Sequence, residues 1–342
     1  MKTYRYVLIG LGNVGRNFLE MVHAREQKLR DEYGVELVCV GVADSTGCLS
    51  DANGLDVSAI ASAKKTRRGV VLMPGGKADK PQTLLDVPGV NLVLDASPTN
   101  LEHGQPGLDL TRAALKKGIP VIAANKGPLA LAFQELAKLS DLKGSGPALR
   151  FSGAVGGAVP SINVGRRDLA GGLITRVEAA LNGTTQLILG MMMSGASFEA
   201  ALAEAQRIGI AEPDPSLDVD GWDLANKLVI IANAVLNQPT VLENVSVAGI
   251  RGVGADMLQR ARSQGGRVSL LAVANWNGKK YDLSVEPMIV PVWHPLSKVG
   301  SERLDEMGVI FYSDIYGRMQ VICAEEGPGG TAAAMLRDVL SL

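Results

Sequence analysis

The stretch Tyr6-Val7-Leu8-Ile9-Gly10-Leu11-Gly12-Asn13-Val14-Gly15 joins a short apolar run to a glycine-rich turn near the amino terminus. The apolar run predicts a buried strand, and the residues that follow the turn have a helical pattern. In such a turn the first glycine permits a tight bend, the second lets a pyrophosphate approach, and the third allows close packing of helix on strand. The stretch predicts a Rossmann-type dinucleotide-binding domain whose cofactor contacts come from Gly10, Leu11, Gly12, Asn13, Val14 and Gly15.

A second apolar run at residues 37–42 follows the helix predicted over residues 16–33 and leads to Asp44. An acidic residue at the end of this strand commonly accepts hydrogen bonds from the ribose hydroxyls of NAD. The basic cluster Lys64-Lys65-Thr66-Arg67-Arg68 offers positive charge for the 2′-phosphate of NADP instead. Asp44 therefore favours NAD, while the basic cluster leaves NADP as an alternative cofactor.

Further apolar runs at residues 71–73, 90–95 and 120–124, with a helix predicted over residues 107–117, continue the alternation of strand and helix. This rhythm predicts a parallel sheet. Open sheets of this kind bind ligands at the carboxyl ends of their strands. The candidates for cofactor contact at those ends are Ser97, Pro98, Thr99 and Lys126.

A turn-rich segment at residues 141–147 predicts the boundary between two domains. The dinucleotide-binding domain is predicted over residues 1–150 and is completed by residues 322–342, which contain a late helix. Residues 151–321, with a strand near 174–180 and helices near 187–193 and 197–207, predict an α+β domain for substrate binding and dimerisation. The fold class is therefore α/β with a second α+β domain.

A carboxylate-rich loop, Glu212-Pro213-Asp214-Pro215-Ser216-Leu217-Asp218-Val219-Asp220, runs into an apolar helix that carries Asp223 and Lys227. Residues four apart share one face of a helix, so Asp223 and Lys227 are predicted to lie side by side. Carboxylates suit a small ammonium-bearing substrate, and a partly buried lysine can transfer a proton. An ordinary amphipathic helix with an ion pair explains the same pattern.

The formal net charge of −1 arises from 34 basic and 35 acidic residues among 342. This balance gives no electrostatic reason to bind nucleic acid or an anionic membrane, so small solutes are the expected partners. Neither a leader nor a membrane-spanning run is predicted, and a cytoplasmic location is expected. Cys39, Cys48 and Cys323 lack the spacing of a metal site or disulfide framework, which predicts free thiols.

Several segments taken together resemble homoserine dehydrogenase: residues 10–15, Ala124-Asn125-Lys126, Val155-Gly156-Gly157, Asn182-Gly183-Thr184-Thr185, residues 211–215, residues 218–227 and His294-Pro295-Leu296. The resemblance implies reversible NAD(P)-dependent hydride transfer between L-homoserine and L-aspartate 4-semialdehyde, on the route to threonine and methionine. It implies that Lys126 and Lys227 are catalytic, and that a homodimer forms through the second domain. The substrate-binding residues that it implies are Glu212, Asp218, Asp223, Gly183 and Thr184.

Three departures from the family pattern qualify this resemblance. Some members hold a monovalent cation, and here Na⁺ or K⁺ would depend on the backbone oxygens of Val155, Gly157 and Val159, because Ser152 replaces the family's glutamate. Residues 324–330 replace a glycine-alanine loop and contain Glu325 and Glu326. The chain is also expected to be a short, stand-alone form without a C-terminal regulatory domain.

Two alternatives remain beside this interpretation. A dehydrogenase for another small amino-acid semialdehyde of the acylating kind needs an activated cysteine in mid-chain, and the sequence has none between Cys48 and Cys323. A non-catalytic dinucleotide-binding redox sensor would be expected to lack one of the site groups. The sequence retains all four site groups, Lys126, Glu212, Asp223 and Lys227.

Overall fold

The computed structural model describes residues 1–66, 69–300, 306–325 and 327–342. The chain forms two compact units, one of Met1–Gly157 with Gly327–Leu342 and the other of Ala158–Glu326. No helix in the described ranges is both long and apolar enough to cross a bilayer.

Strands and helices largely alternate along the first unit, whereas the second unit has successive helices between residues 183 and 234 and successive strands between residues 267 and 324. The strands are β1 Lys2–Ile9, β2 Val35–Asp44, β3 Gly47–Ser50, β4 Leu92–Asp95, β5 Val121–Ala123, β6 Leu149–Arg150, β7 Ile174–Ala180, β8 Ser246–Val247, β9 Arg267–Trp276, β10 Tyr281–Val290, β11 Glu306–Ser313 and β12 Gly317–Ala324. The helices are α1 Asn13–Ala24, α2 Glu26–Tyr33, α3 Val57–Lys65, α4 Gly107–Lys116, α5 Gly127–Leu139, α6 Ser161–Asn163, α7 Gly183–Met193, α8 Phe198–Arg207, α9 Ser216–Val219, α10 Trp222–Ala234, α11 Ala255–Ser263 and α12 Gly329–Leu340.

The first unit contains a sheet in the order β3-β2-β1-β4-β5-β6, which is the order of doubly wound dinucleotide-binding folds. Neighbouring strands are parallel except for β2 and β3. The sequence predicts a parallel sheet and does not indicate β3. A two-residue turn at residues 45–46 lets β3 fold back along β2, where Gly47 pairs with Asp44.

Two sequence-based expectations for the first unit need correction. The predicted strand at residues 71–73 is wrong, because Val70–Leu72 form a 3₁₀ turn. There the Val70 amide donates to the Asp44 carboxylate instead of joining a strand ladder. The helix predicted over residues 16–33 is two helices, α1 and α2, which meet at Arg25.

The core of the first unit lies between β1 and the helices that cover it. Tyr6 and Phe18 pack edge to face with ring centroids 5.9 Å apart, and both are fully buried. Helix α12 supplies Met335 and Val339 to this same core. The chain's last helix therefore helps to hold the β1–α1 turn in place.

The second unit is built on a sheet in the order β12-β11-β7-β9-β10-β8. Its pairs are antiparallel except for the short parallel contact of β8 with β10. An apolar cluster that includes Leu271, Leu296 and Ile310 packs within this unit. Strand β7 leads directly into α7, so the start of α7 lies where β7 ends.

Candidate active site

The turn between β1 and α1 has three glycines with different structural requirements. Gly10 has φ +92, and a Cβ there would lie 2.2 Å from the Ala96 carbonyl oxygen. A Cβ on Gly15 would lie 1.9 Å from the Gly10 carbonyl oxygen, whereas a Cβ on Gly12 would meet nothing within 4 Å. The fold therefore requires glycine at positions 10 and 15. Open space at Gly12, before an α1 N-terminus without a side-chain cap, fits the close approach of a pyrophosphate.

Asp44 at the end of β2 already has several hydrogen-bond partners. Its carboxylate lies 2.6 Å from the Lys64 ammonium and accepts the Thr46 hydroxyl and amide and the Val70 amide. Burial alone raises the pKa of Asp44, but these partners outweigh it and the pKa is lowered. Of the basic cluster at residues 64–68, Lys64 thus contacts Asp44, while Arg67 and Arg68 lie outside the described residues.

The loops after β4 and β5 are joined by buried hydrogen bonds. Asp95 accepts the Ser97 amide and hydroxyl, and the Asn125 side chain donates to the Ser97 hydroxyl oxygen over 2.9 Å. Burial raises the pKa of Asp95. The Lys126 amide donates to the Thr99 hydroxyl oxygen, so the predicted cofactor residues Ser97, Pro98 and Thr99 lie in a loop held to the start of α5.

Asp223 and Lys227 form the ion pair that their spacing predicts, with Oδ2 and Nζ 2.7 Å apart. Both side chains are largely buried, at 15% and 11% exposure. The Lys227 ammonium also donates to the Leu181 carbonyl oxygen. Gly221, with φ +86, precedes α10, and its conformation favours glycine at this turn. The lysine is therefore held at the end of β7 by a carboxylate and a carbonyl.

The Asn182 side chain, which sequence reasoning did not select, joins the two aspartates of this site. Its amide nitrogen donates to Asp218 over 2.7 Å and to Asp223 over 3.0 Å. Its amide oxygen accepts the Thr185 amide and hydroxyl, which caps α7. An asparagine between a strand and a helix is a helix-cap signal, and that signal could have identified it. Among the described residues, this cluster brings the Lys227 ammonium and the Asn182 amide to two carboxylates.

The other predicted substrate residues lie at two places in the second unit. Gly183 and Thr184 form the first turn of α7, and the Thr184 hydroxyl donates to the Ile210 carbonyl oxygen. Glu212 is exposed and takes no part in the Asn182–Asp218–Asp223 hydrogen bonds. His294, from the shared motif, contacts Glu178 over 2.9 Å instead of this cluster.

Ser152 and Glu325 occupy the positions where the sequence departs from the family pattern. Ser152 is buried, and its amide and hydroxyl both donate to the Asp338 carboxylate over 2.7 Å. Val155 and Gly157 belong to the first unit and Val159 to the second. Glu325 accepts the Ala158 amide over 3.2 Å, and Glu326 lies outside the described residues. The described part of the chain has no cluster of three or more His, Cys, Asp or Glu suited to a metal.

The chain is similar to known proteins of one family. The family model for homoserine dehydrogenase matches residues 160–340. The NAD(+)-dependent homoserine dehydrogenase of Pseudomonas canavaninivorans is 32% identical, with 100% of this chain and 97% of the relative covered. The homoserine dehydrogenase of Methanocaldococcus jannaschii is 33% identical, with 98% and 97% covered. A solved hyperthermophilic archaeal homoserine dehydrogenase in complex with NADPH matches with a TM-score of 0.84 at 25% identity, covering 99% of this chain and 97% of that one.

Proposed function

Because the chain belongs to the homoserine dehydrogenase family, we propose that Lys227 transfers the proton in its reaction. The enzyme is an NAD(P)-dependent oxidoreductase that acts on a CH–OH group, and it transfers a hydride reversibly between L-homoserine and L-aspartate 4-semialdehyde. An aldehyde that accepts hydride develops alkoxide charge, which an ammonium neutralises and protonates. The observation that supports Lys227 is its burial beside Asp223, at the carboxylates that suit the substrate's amino group. Lys126 polarises or orients the same reacting oxygen.

The substrate's ammonium binds the acidic group formed by Asp218 and Asp223. The Asn182 amide donates to both carboxylates, and Lys227 pairs with Asp223. A substrate ammonium pairs with carboxylates of this cluster, and largely buried charges are less costly when they are paired. Glu212 supplies a further carboxylate from the exposed loop before α9, and Gly183 and Thr184 position the substrate at the start of α7.

The dinucleotide binds at the β1–α1 turn, where the residues present fit a pyrophosphate. Open space at Gly12 and the uncapped N-terminus of α1 support this placement. When bound, the nicotinamide supplies or accepts the hydride. NAD is favoured over NADP because Asp44 ends β2, and Ser97, Pro98, Thr99 and Lys126 complete the contacts.

A monovalent cation, Na⁺ or K⁺, is proposed at the backbone oxygens of Val155, Gly157 and Val159. Carbonyl oxygens carry no formal charge, which suits a monovalent ion better than a divalent one. Gly156 and Gly157 both have positive φ, so this backbone takes a turn that few other residues adopt. Activity in potassium or sodium chloride compared with tetramethylammonium chloride tests this proposal, and equal rates would contradict it.

A homodimer in the cytoplasm is the proposed form of the enzyme. Strand β12 is an edge strand, and Ile315, Tyr316 and Ile322 expose apolar surface on or beside it. The buried cysteines Cys39 and Cys48 are free thiols, which suit a reducing compartment. Sedimentation velocity tests the dimer, because Ile322→Lys should yield monomer whereas the wild type remains dimeric. A wild-type monomer at micromolar concentration would contradict it.

The most direct test of the activity is homoserine-dependent reduction of NAD and NADP, followed by absorbance. Turnover that requires L-homoserine and fails with L-serine would support the substrate, because serine lacks one methylene. A redox sensor without catalysis would bind dinucleotide and show no homoserine-dependent reduction. That outcome would reject the proposed roles of Lys227 and Lys126 together.

A further inference from the structure

The second unit contains a pocket of about 620 Å³ away from the first turn of α7, where the proposed substrate residues lie. Its volume falls in the range of small-molecule sites. It is lined by residues from the later part of α7, the start of β9 and the segment after β10. They are Leu187, Gly190, Met191, Met193, Ser194, Ala196, Gly265, Gly266, Arg267, Val292, Ser297, Lys298 and Gly300.

Arg267 brings a buried positive charge to this pocket. Only 7% of the residue is exposed, and its guanidinium donates to the carbonyl oxygens of Val299 and Gln186 and to the Gln186 side chain. Across the described ranges, no carboxylate lies within ion-pair distance of Arg267. Its Nε atom is buried and has no hydrogen-bond partner there. Burial lowers the pKa of Arg267, which reflects the cost of this desolvated charge.

A second buried donor lies beside Arg267. The Gln186 side-chain oxygen accepts hydrogen bonds from the Arg267 guanidinium and the Ser269 hydroxyl. These bonds fix the orientation of the amide, whose nitrogen is the donor beside Arg267. That nitrogen is also buried without a partner in the part of the chain that the structure describes. A buried charge without a carboxylate partner is costly, and an anion that pairs with Arg267 in the pocket offsets that cost.

The rest of the pocket wall is largely apolar. Leu187, Met191, Met193 and Val292 contribute aliphatic or thioether surface, while Lys298 adds a second cationic side chain to the wall. A ligand that matches this lining has one carboxylate and an aliphatic body. A polyanion such as a nucleotide would place charged groups against the apolar wall.

We propose that this pocket binds a small monocarboxylate with an aliphatic body, whose carboxylate pairs with Arg267. The site is separate from that of the hydride-transfer reaction. The two sites share helix α7, because Gly190 of the pocket follows Thr184 of the proposed substrate site by six residues, or about 9 Å of helix. Binding at this site can be measured without turnover.

The test uses calorimetry on the full chain with 3-methylbutyrate as the probe and 3-methylbutanamide as its uncharged match. L-Homoserine is present at saturation without dinucleotide, so that the substrate site is occupied. We expect the acid to bind at least tenfold more tightly than the amide, because only the acid pairs with a guanidinium. Absence of acid binding at about 10 mM, or equal affinities for acid and amide, would overturn the proposal.

A pocket-filling variant locates the binding. Gly190 is helical, and the nearest atoms to an added Cβ are the Gly300 carbonyl oxygen at 3.9 Å and Arg267 Nη2 at 4.0 Å. Gly190→Leu should therefore fold and weaken acid binding at least tenfold, as should Arg267→Met. Gly252→Leu is the control, since Gly252 does not line the pocket and a Cβ there meets nothing within 4 Å. Wild-type affinity in Gly190→Leu would overturn the assignment even if Arg267→Met fails to fold.

Discussion

The Lys64 ammonium lies 2.6 Å from the Asp44 carboxylate, and the two side chains are 12% and 9% exposed. Asp44 stands where a ribose-binding acid is expected, but its charge is already paired. An ion pair repels a 2′-phosphate less than a lone carboxylate does. Lys64 therefore becomes a candidate determinant of cofactor preference through Asp44.

Lys64→Met should raise the ratio of kcat/KM for NAD to that for NADP by about tenfold, because Asp44 would then repel the 2′-phosphate. Asp44→Asn should lower the same ratio. Initial rates with both cofactors measure it. Lys65→Met is the control, since Lys65 pairs with Glu20 instead.

The double variant Lys64→Met with Asp44→Asn separates two roles for this lysine. If Lys64 acts by neutralising Asp44, the double variant recovers the use of NADP that Lys64→Met loses. If Lys64 binds the phosphate directly, NADP use stays low. If the ratio of kcat/KM for NAD to that for NADP is unchanged in every variant, neither residue determines the cofactor preference.

Gly12→Ala and Gly15→Ala should separate cofactor binding from folding. An added Cβ at Gly12 meets no protein atom within 4 Å, so the free energy of unfolding without cofactor should barely change. Dinucleotide affinity should fall at least about tenfold, because the methyl group occupies the path of the pyrophosphate. Gly15→Ala should destabilise the fold itself, since its Cβ would lie 1.9 Å from the Gly10 oxygen. Thermal unfolding and dinucleotide titration measure both effects, and normal affinity in Gly12→Ala would refute the placement.

The sequence predicts those features whose geometry depends only on residues that are close together in the chain. The β1–α1 turn follows from its glycines, and the Asp223–Lys227 pair follows from helical spacing. Strand β7 lies over Ile174–Ala180, where the sequence predicts a strand. Each of these features is determined by a few consecutive residues, so the sequence alone predicts it.

Contacts between distant segments could not be read in the same way. Asn182 reaches Asp218 and Asp223 only because the end of β7 lies near α9 and the start of α10. Lys64 lies 20 positions after Asp44 in the chain, on the separate helix α3. Sequence spacing does not encode such distances, which is why the amide that joins the aspartates and the partner of Asp44 were missed.

Asn182→Ser should raise the KM for L-homoserine at least about tenfold while leaving stability close to that of the wild type. Serine keeps the helix cap that accepts the Thr185 amide, but it cannot donate to both Asp218 and Asp223. Asn182→Ala should additionally cost about 1 kcal/mol of unfolding free energy, because the cap is lost. Steady-state kinetics and urea unfolding measure the two effects. A wild-type KM in Asn182→Ser would show that the carboxylates do not need this amide.

Glu178 should make stability depend on pH in the acidic range. Burial alone raises its pKa, but Arg176, His294 and Tyr312 outweigh that effect and lower it. A carboxylate whose folded pKa is lowered stabilises the fold above its unfolded pKa, near 4.3, and loses this contribution as pH falls further. Glu178→Gln should therefore be less stable than the wild type at pH 7, by about 1–3 kcal/mol. The difference should shrink below about pH 4, and urea unfolding at several pH values measures it. A difference that stays constant with pH would contradict this role.

Lys227→Met should lower kcat by about 10²- to 10⁴-fold, because the group that neutralises and protonates the alkoxide is lost. Dinucleotide affinity should stay near that of the wild type, since the β1–α1 turn is untouched. Circular dichroism checks the fold, because Asp223 loses its ion pair, and Lys279→Met at an exposed position is the control. The pH profile of kcat should lose the limb that reports proton transfer in Lys227→Met and keep it in Lys126→Met. If Lys227→Met retains kcat and that limb, Lys227 serves only as the ion-pair partner of Asp223, and proton transfer passes to Lys126 or to a bound water.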